Sequence, residues 1–114
     1  MTTIHLTKQT CEACEGGVPP LTRTEAAELQ TQTPEWQIDE TGKVLYRAYT
    51  LANFCDALAL VNLAGEIAEA EGHHPDLHLT DYKQVRIELT THAIDGLSQN
   101  DFIVAAKLDA AREE

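Results

Sequence analysis

Between Leu77 and Thr90 the chain alternates apolar and polar residues with a period of two. Leu77 and Leu79 are interleaved with His78 and Thr80, and Val85, Ile87 and Leu89 with Arg86, Glu88 and Thr90. Successive side chains of a strand point to opposite faces of a sheet, so each run has one apolar and one wet face. This pattern favours an antiparallel sheet, because parallel sheets buried on both sides read as continuous apolar runs. The rest of the chain has one apolar sheet face to cover.

The other segments fit that demand. Trp36 to Glu40 and Val44 to Leu51 read as two more strands, joined by a turn centred on Thr41-Gly42 into a hairpin. Thr22 to about Gln32 reads as a helix: Thr22 and Glu25 form a capping box, with Leu21 and Ala26 placed as its hydrophobic staple. Asn53 to Gly72 is the longest helix candidate. Asn53 is a favourable N-cap. Phe54, Leu58, Val61 and Ala68 follow helical spacing, and Leu60, Leu63, Ala64 and Ile67 widen the stripe. Gly72 suits the C-terminal cap, and Pro75 opposes continuation. A last helix runs from Ser98 to about Ala111, with Ser98 and Asp101 as a second capping box and Leu97 and Phe102 as its staple.

The order α-β-β-α-β-β-α implies an α+β fold, a four-stranded antiparallel sheet with helices packed on one face. At 114 residues one domain is expected, burying roughly two-thirds of the surface its unfolded chain exposes. Residues 1–20 lack periodicity and read as an irregular arm that packs on the body or frays, leaving 21–114 as the single domain. No basic patch precedes an apolar run near the N-terminus, and three cysteines is an odd count. Both point to a reducing, cytoplasmic setting. No apolar stretch approaches the ~18 residues of a membrane span. The net charge of −11 opposes direct binding to nucleic acid or anionic lipid.

Chemistry concentrates in Glu69, His73, His74, Pro75, Tyr82, His92 and Asp101. Imidazole has an unperturbed pKa of ~6.5, so it gives and takes protons near neutrality. Glu69 and His73 are four apart and share a helix face if the helix reaches them. A carboxylate there orients the ring and favours its protonated form. The carbonyl end of the helix acts in the same direction. These arguments predict His73 as a general acid supported by Glu69. His92 has the opposite parity to Val85, Ile87 and Leu89, so a regular strand would turn it off the core face.

Each residue also has a plainer explanation. A histidine at a helix end commonly caps it, Asp101 is explained by its capping box, Glu69 by solvation of an exposed face and Tyr82 by cover of the sheet edge. His78 stands outside the pattern. Zinc on His73, His74 and His92 is the competing chemistry, but neighbouring side chains diverge and no His-x-x-x-His pair lies on a predicted helix. No metal or cofactor is expected. Cys11 and Cys14 lack the partners of a structural zinc site and the preceding strand of a redox motif. There is no phosphate loop, nucleophile elbow or dinucleotide fingerprint.

At those spacings the chain resembles the pterin-4a-carbinolamine dehydratases. The family pattern is an acid, three residues, His, His or Asn, Pro or a small residue, then an aromatic, a His or Trp, and an Asp. Cys11-Glu12-Ala13-Cys14-Glu15-Gly16-Gly17-Val18-Pro19-Pro20-Leu21 is similar to the start of many bacterial members. Gly72 departs from relatives that carry an acid before the first histidine.

The resemblance implies a cofactor-independent dehydratase. Its substrate would be 4a-hydroxytetrahydropterin, released by an aromatic amino-acid hydroxylase, and its product the quinonoid dihydropterin. His73, His74 and His92 would line the site, with His73 and His92 as acid and base, His74 binding substrate and assisting proton removal, and Glu69 setting the state of His73. A homodimer formed through a sheet edge is expected. The alternative is a small protein-interaction module, since some family members act as dimerisation cofactors for a transcription factor; a role with other pterins is a third reading.

Overall fold

The computed structural model describes residues 5–12 and 18–113. Cys14, Gly16 and Gly17 of the N-terminal motif lie outside the described residues. The elements are α1 (Arg23–Gln30), β1 (Gln37–Ile38), β2 (Leu45–Thr50), α2 (Phe54–Glu71), β3 (Asp76–Thr80), β4 (Gln84–Leu89) and α3 (Gln99–Glu113). Short 3-10 turns stand at Leu6–Lys8 and His92–Ile94. The strands form one antiparallel sheet in the order β1-β2-β4-β3. The α+β architecture read from the sequence is the one observed. Among the described residues no helix is long and apolar enough to cross a membrane.

Register explains the buried face. Leu45 lies opposite Leu89, Tyr49 opposite Val85, and Leu77 opposite Ile87. Leu45, Val85, Ile87 and Leu89 are buried completely or nearly so. The other face pairs Tyr46 with Glu88 and His78 with Arg86, a polar surface on which the Arg86 guanidinium stacks 3.9 Å from the Tyr46 ring centroid. Arg47 shares the inward parity of Leu45 and Tyr49. It is accommodated because it reaches Asp109 of α3 at 3.0 Å. Asp109 also accepts the indole N–H of the fully buried Trp36 at 2.9 Å. Without that acceptor the indole would be buried with an unsatisfied donor.

The caps act where local chemistry places them. Thr22 and Glu25 make both bonds of the capping box. Asn53 Oδ1 accepts from the Asp56 N–H at 2.8 Å. Gln37–Ile38 is shorter than the strand expected over Trp36–Glu40; the Asp39 N–H still bonds the Val44 carbonyl at 2.9 Å, and its side chain organises the turn. Its Oδ1 accepts from the Thr41 hydroxyl and from the backbone N–H groups of Lys43 and Val44. Those bonds hold the Asp39 carboxyl below its ordinary range, against a desolvation that acts to raise it.

One expectation changes. Phe54 and Leu58 were placed on the apolar stripe of α2, but both are exposed, at 48% and 41%. The buried line is Ala57, Leu60, Ala64 and Ala68. The exposed Asn62, Glu66 and Glu69 recur at i, i+4 and i+7 and mark the wet face, and the first-turn Phe54 and Leu58 fall beside that face. Helix α3 is deeply buried along its first two turns. Every residue from Asn100 to Ala106 is buried, as is Leu108. Helices α2 and α1 cover part of this helix, the buried sheet residues share one core with it, and the 3-10 turn at Leu6–Lys8 packs on it as well, with Leu6 fully buried.

Candidate active site

The C-terminal end of α2 creates the site. Gly72 adopts a left-handed conformation, φ 66° and ψ 26°, which glycine reaches without steric cost. The Gly72 N–H bonds the Glu69 carbonyl, and the His73 N–H bonds the Ala68 carbonyl, closing a Schellman motif. The helix therefore stops at Glu71, and the i, i+4 geometry expected to join Glu69 to His73 does not extend to residue 73. The reversal sends the two adjacent imidazoles in different directions.

His73 turns inward. Its Nε2 lies 2.6 Å from Asp101 Oδ1, with the His73 side chain 12% exposed and that of Asp101 wholly buried. His74 turns outward and meets Glu69, Nε2 to Oε1 at 2.7 Å, with both side chains largely exposed. Glu69 is thus the partner of His74, not of His73, correcting the pairing inferred from spacing. A solvent-exposed pair of this kind is screened and contributes little rigidity.

Asp101 is saturated with donors. Its Oδ1 accepts from His73, and its Oδ2 accepts from the Thr91 hydroxyl and the Ser98 N–H, both at 2.9 Å. The Ser98 hydroxyl lies 2.8 Å from that of Thr91 and accepts from the Asn100 N–H. Since the Thr91 hydroxyl is committed to Asp101, Ser98 donates to Thr91. Donation runs from Ser98 to Thr91 and from Thr91 to the Asp101 carboxylate, and each bond polarises the next. The Asp101–Ser98 bond is half of the capping box read from the sequence. The other oxygen is what the capping explanation left unassigned. A carboxylate accepting at His73 Nε2 places the hydrogen on that nitrogen and frees Nδ1 for a reacting molecule.

His92 does not lie on a strand. Strand β4 ends at Leu89, and His92 opens the 3-10 turn after Thr91, with its ring exposed. Thr91 and Gly96 pair as an isolated antiparallel bridge that closes the turn. Asp101 therefore ties both histidine segments together: one oxygen holds His73, and the other holds the residue before His92. Tyr82 stands at the β3–β4 turn, 56% exposed with φ 51°, away from this network. His78 pairs with Glu88 on the outer sheet face. A groove of about 400 Å³ lies between α1 and the turn around Gly42, reaching Asp95 and Gly96 but none of the imidazoles.

Comparison with known proteins agrees with this frame. Residues 19–111 match the model of the family described as pterin 4 alpha carbinolamine dehydratase. A protein of Halorhodospira halophila, named as a candidate pterin-4-alpha-carbinolamine dehydratase, is 48% identical over 107 residues, covering 94% of this chain and 97% of that protein. One from Methylococcus capsulatus, named likewise, is 42% identical over 114 residues, covering 100% and 99%. The crystal structure of a Brucella melitensis protein named a transcriptional coactivator/pterin dehydratase superposes with a TM-score of 0.73 at 27% identity, covering 80% of this chain and 96% of that one. A pterin dehydratase-like protein identified as a RuBisCO assembly factor shares the fold, with a TM-score of 0.55 at 18% identity over 67% of this chain and 87% of that one. A match this long, together with relatives at this identity, means that the chain belongs to the pterin 4 alpha carbinolamine dehydratase family.

Proposed function

We propose that this protein eliminates water from a 4a-hydroxytetrahydropterin by histidine acid–base catalysis. Hydroxide is a poor leaving group, so the 4a oxygen takes a proton as its bond to carbon breaks. A ring nitrogen then loses a proton to complete the new double bond. An imidazolium and a neutral imidazole share these tasks, and each such assistance typically contributes ~10²–10⁴ in rate. In this reading His73 and His92 stand on opposite sides of the pterin as acid and base. His74, paired with Glu69 at the surface, binds the substrate and assists proton removal. The observation that carries the reading is the 2.6 Å contact between His73 and the buried Asp101 carboxylate, which leaves one ring nitrogen pre-set for substrate. A buried carboxylate orienting an imidazole through its far nitrogen is a recurrent device for general acid–base work.

The test is Ala substitution at His73 and at His92, singly and together, assayed on freshly generated hydroxypterin. The double variant is expected to fall to the uncatalysed rate, and wild-type turnover is expected to survive a chelator. A double variant as fast as wild type refutes the acid–base assignment. Loss of wild-type turnover to the chelator restores the metal reading. The protein would act beside an aromatic amino-acid hydroxylase that releases its substrate, in the cytoplasm.

We also propose that it works as a homodimer joined at a sheet edge. Strand β3 is an outer strand of five residues, and an exposed edge of this length needs cover. Light scattering showing only monomer at working concentration would overturn this. A second reading, a protein-interaction module, is favoured by Phe54 and Leu58, one turn apart and exposed on α2. The Brucella relative is named for coactivation as well as dehydration. Replacing both residues with Ser is expected to leave turnover intact, so a loss of turnover counts against treating that surface as separate from catalysis.

A further inference from the structure

The two helix ends that carry the site are strapped together by the N-terminal arm. Residues 11–12 cross the last turn of α2 and the first turn of α3. The Asn100 amide reads both backbone groups of Glu12: Oδ1 accepts its N–H at 3.1 Å, and Nδ2 donates to its carbonyl at 2.6 Å. The Cys11 N–H donates to Glu71 Oε1 at 2.9 Å, and the Cys11 thiol donates to the Asn100 carbonyl at 3.6 Å. Glu71 Oε2 in turn accepts from Lys107 of α3 at 2.5 Å.

Each member is chemically matched to its place. Asn100 is 8% exposed, so an amide stripped of Glu12 would be left buried with an unsatisfied donor and acceptor. Burial, then the neighbouring Glu71 carboxylate, push the Cys11 thiol up to about 12, so it serves here as a neutral donor and not as a nucleophile. Desolvation acts to raise the Glu71 carboxyl, but the Lys107 ammonium and the Cys11 N–H outweigh it and hold it below its ordinary range.

We propose that Asn100 and Glu71 are positioning residues: by gripping residues 11–12 they set the separation of the helix ends that bear His73 and Asp101. Asn100 immediately precedes Asp101, and Glu71 is two residues before His73 in the turn that delivers it. A contact of 2.6 Å leaves no slack between those ends. This inference rests on the dehydratase reading for its kinetic arm only.

The test uses full-length Asn100→Ala, Glu71→Ala and Glu71→Gln, with two readouts. The first is steady-state dehydration. Misplacement by about an ångström away from the chemistry can cost up to ~10²-fold, so the two Ala variants are expected to lose roughly tenfold in kcat with KM within about twofold. Glu71→Gln keeps an acceptor for the Cys11 N–H and is expected to recover most of kcat. The second readout is the imidazole ¹⁵N spectrum of His73 under conditions where the ring is neutral. Wild type shows hydrogen fixed on Nε2, and the Ala variants show the averaged signals of both tautomers. If Asn100→Ala does not fold, the Glu71 pair decides. Ala variants that are folded, keep kcat within twofold and keep the fixed tautomer overturn the proposal. If wild type shows no turnover, the dehydratase reading fails, and a fixed tautomer in both Ala variants still sinks the strap.

Discussion

Replacing Asp101 by Asn tests the core of the site with the smallest change of shape. The carboxylate accepts three hydrogen bonds, at 2.6 Å from His73 and 2.9 Å from Thr91 and Ser98. A carboxamide has one oxygen and one NH₂. With the oxygen turned to Thr91 and Ser98, two bonds survive in neutral form, and the NH₂ faces His73 Nε2. That nitrogen must then accept, so the ring hydrogen moves to Nδ1 and the nitrogen offered to substrate changes its role. Charge-assisted bonds are worth ~1.5–3 kcal/mol against ~0.5–1.5 for neutral ones, so weakening three of them costs about 3 kcal/mol before the cheaper desolvation of an amide is credited. We expect a net loss of about 1–2 kcal/mol, which in a domain of this size lowers Tm by roughly 5–8 °C. The kinetic effect is larger. With the wrong tautomer one proton transfer is lost, so kcat falls by at least ~10²-fold, while KM changes little because Asp101 is buried behind the ring. The assay is absorbance-detected dehydration of fresh hydroxypterin, with circular dichroism to confirm folding. A folded Asp101→Asn protein with kcat within threefold of wild type would refute the reasoning.

Further predictions rest on other contacts. A Cβ on Gly96 would stand 2.6 Å from Pro20 Cβ, so Gly96→Ala is expected to cost ~1–3 kcal/mol in urea unfolding. It should also lower kcat, because Gly96 bridges Thr91 and Thr91 supports Asp101; unchanged stability would show that Pro20 yields freely. Iodoacetamide at mildly alkaline pH should modify the exposed Cys55 before Cys11, whose thiol is pushed up to about 12 by burial and by Glu71, as mass spectrometry of the two peptides will show. Glu71 has a depressed carboxyl pKa in the folded protein, so its stabilisation is present above the ordinary value of 4.5 and is lost as pH falls through the folded value. The urea midpoint gap between wild type and Glu71→Gln should therefore hold from pH 7 to about 5 and narrow in more acidic solution; a gap that widens with acid would reverse the assignment.

The sheet was legible because its signals are local. Alternation at Val85, Ile87 and Leu89 sets which face is buried, and the Thr22–Glu25 and Asn53 caps mark helix starts within a residue of where they stand. Gly72 was legible as a helix end, yet its consequence was not: a left-handed residue turns the next side chain off the helix lattice, and Glu69, matched by spacing to His73, meets His74 instead. The bond from Asp101 to His73 spans 28 residues and leaves no periodic trace. Asp101 was visible only through its capping role, which accounts for one of its two oxygens. The phase of α2 was legible from Asn62, Glu66 and Glu69, but an apolar-only count drew Phe54 and Leu58 into the stripe although they flank that polar face. The burial of Leu6 was hidden because a three-residue turn carries no period, and the amide of Asn100 looks in sequence like any other polar residue near a helix start.

The burial of Asn100–Ala106, the first two turns of α3, has a bearing on when the site can exist. Most enzymes of this size could assemble a reactive centre from loops that open and reclose independently of the rest. Here Asp101 sits in the buried first turn of a helix packed by α2, by α1 and by the Leu6–Lys8 turn. Its backbone amide and those after it should exchange with deuterium only through the rarest, whole-molecule openings. Solvent, and with it any competing proton donor, reaches the carboxylate only when the protein comes apart. Turnover would then survive stress undiminished up to the cooperative transition and vanish with it, without a partly active intermediate.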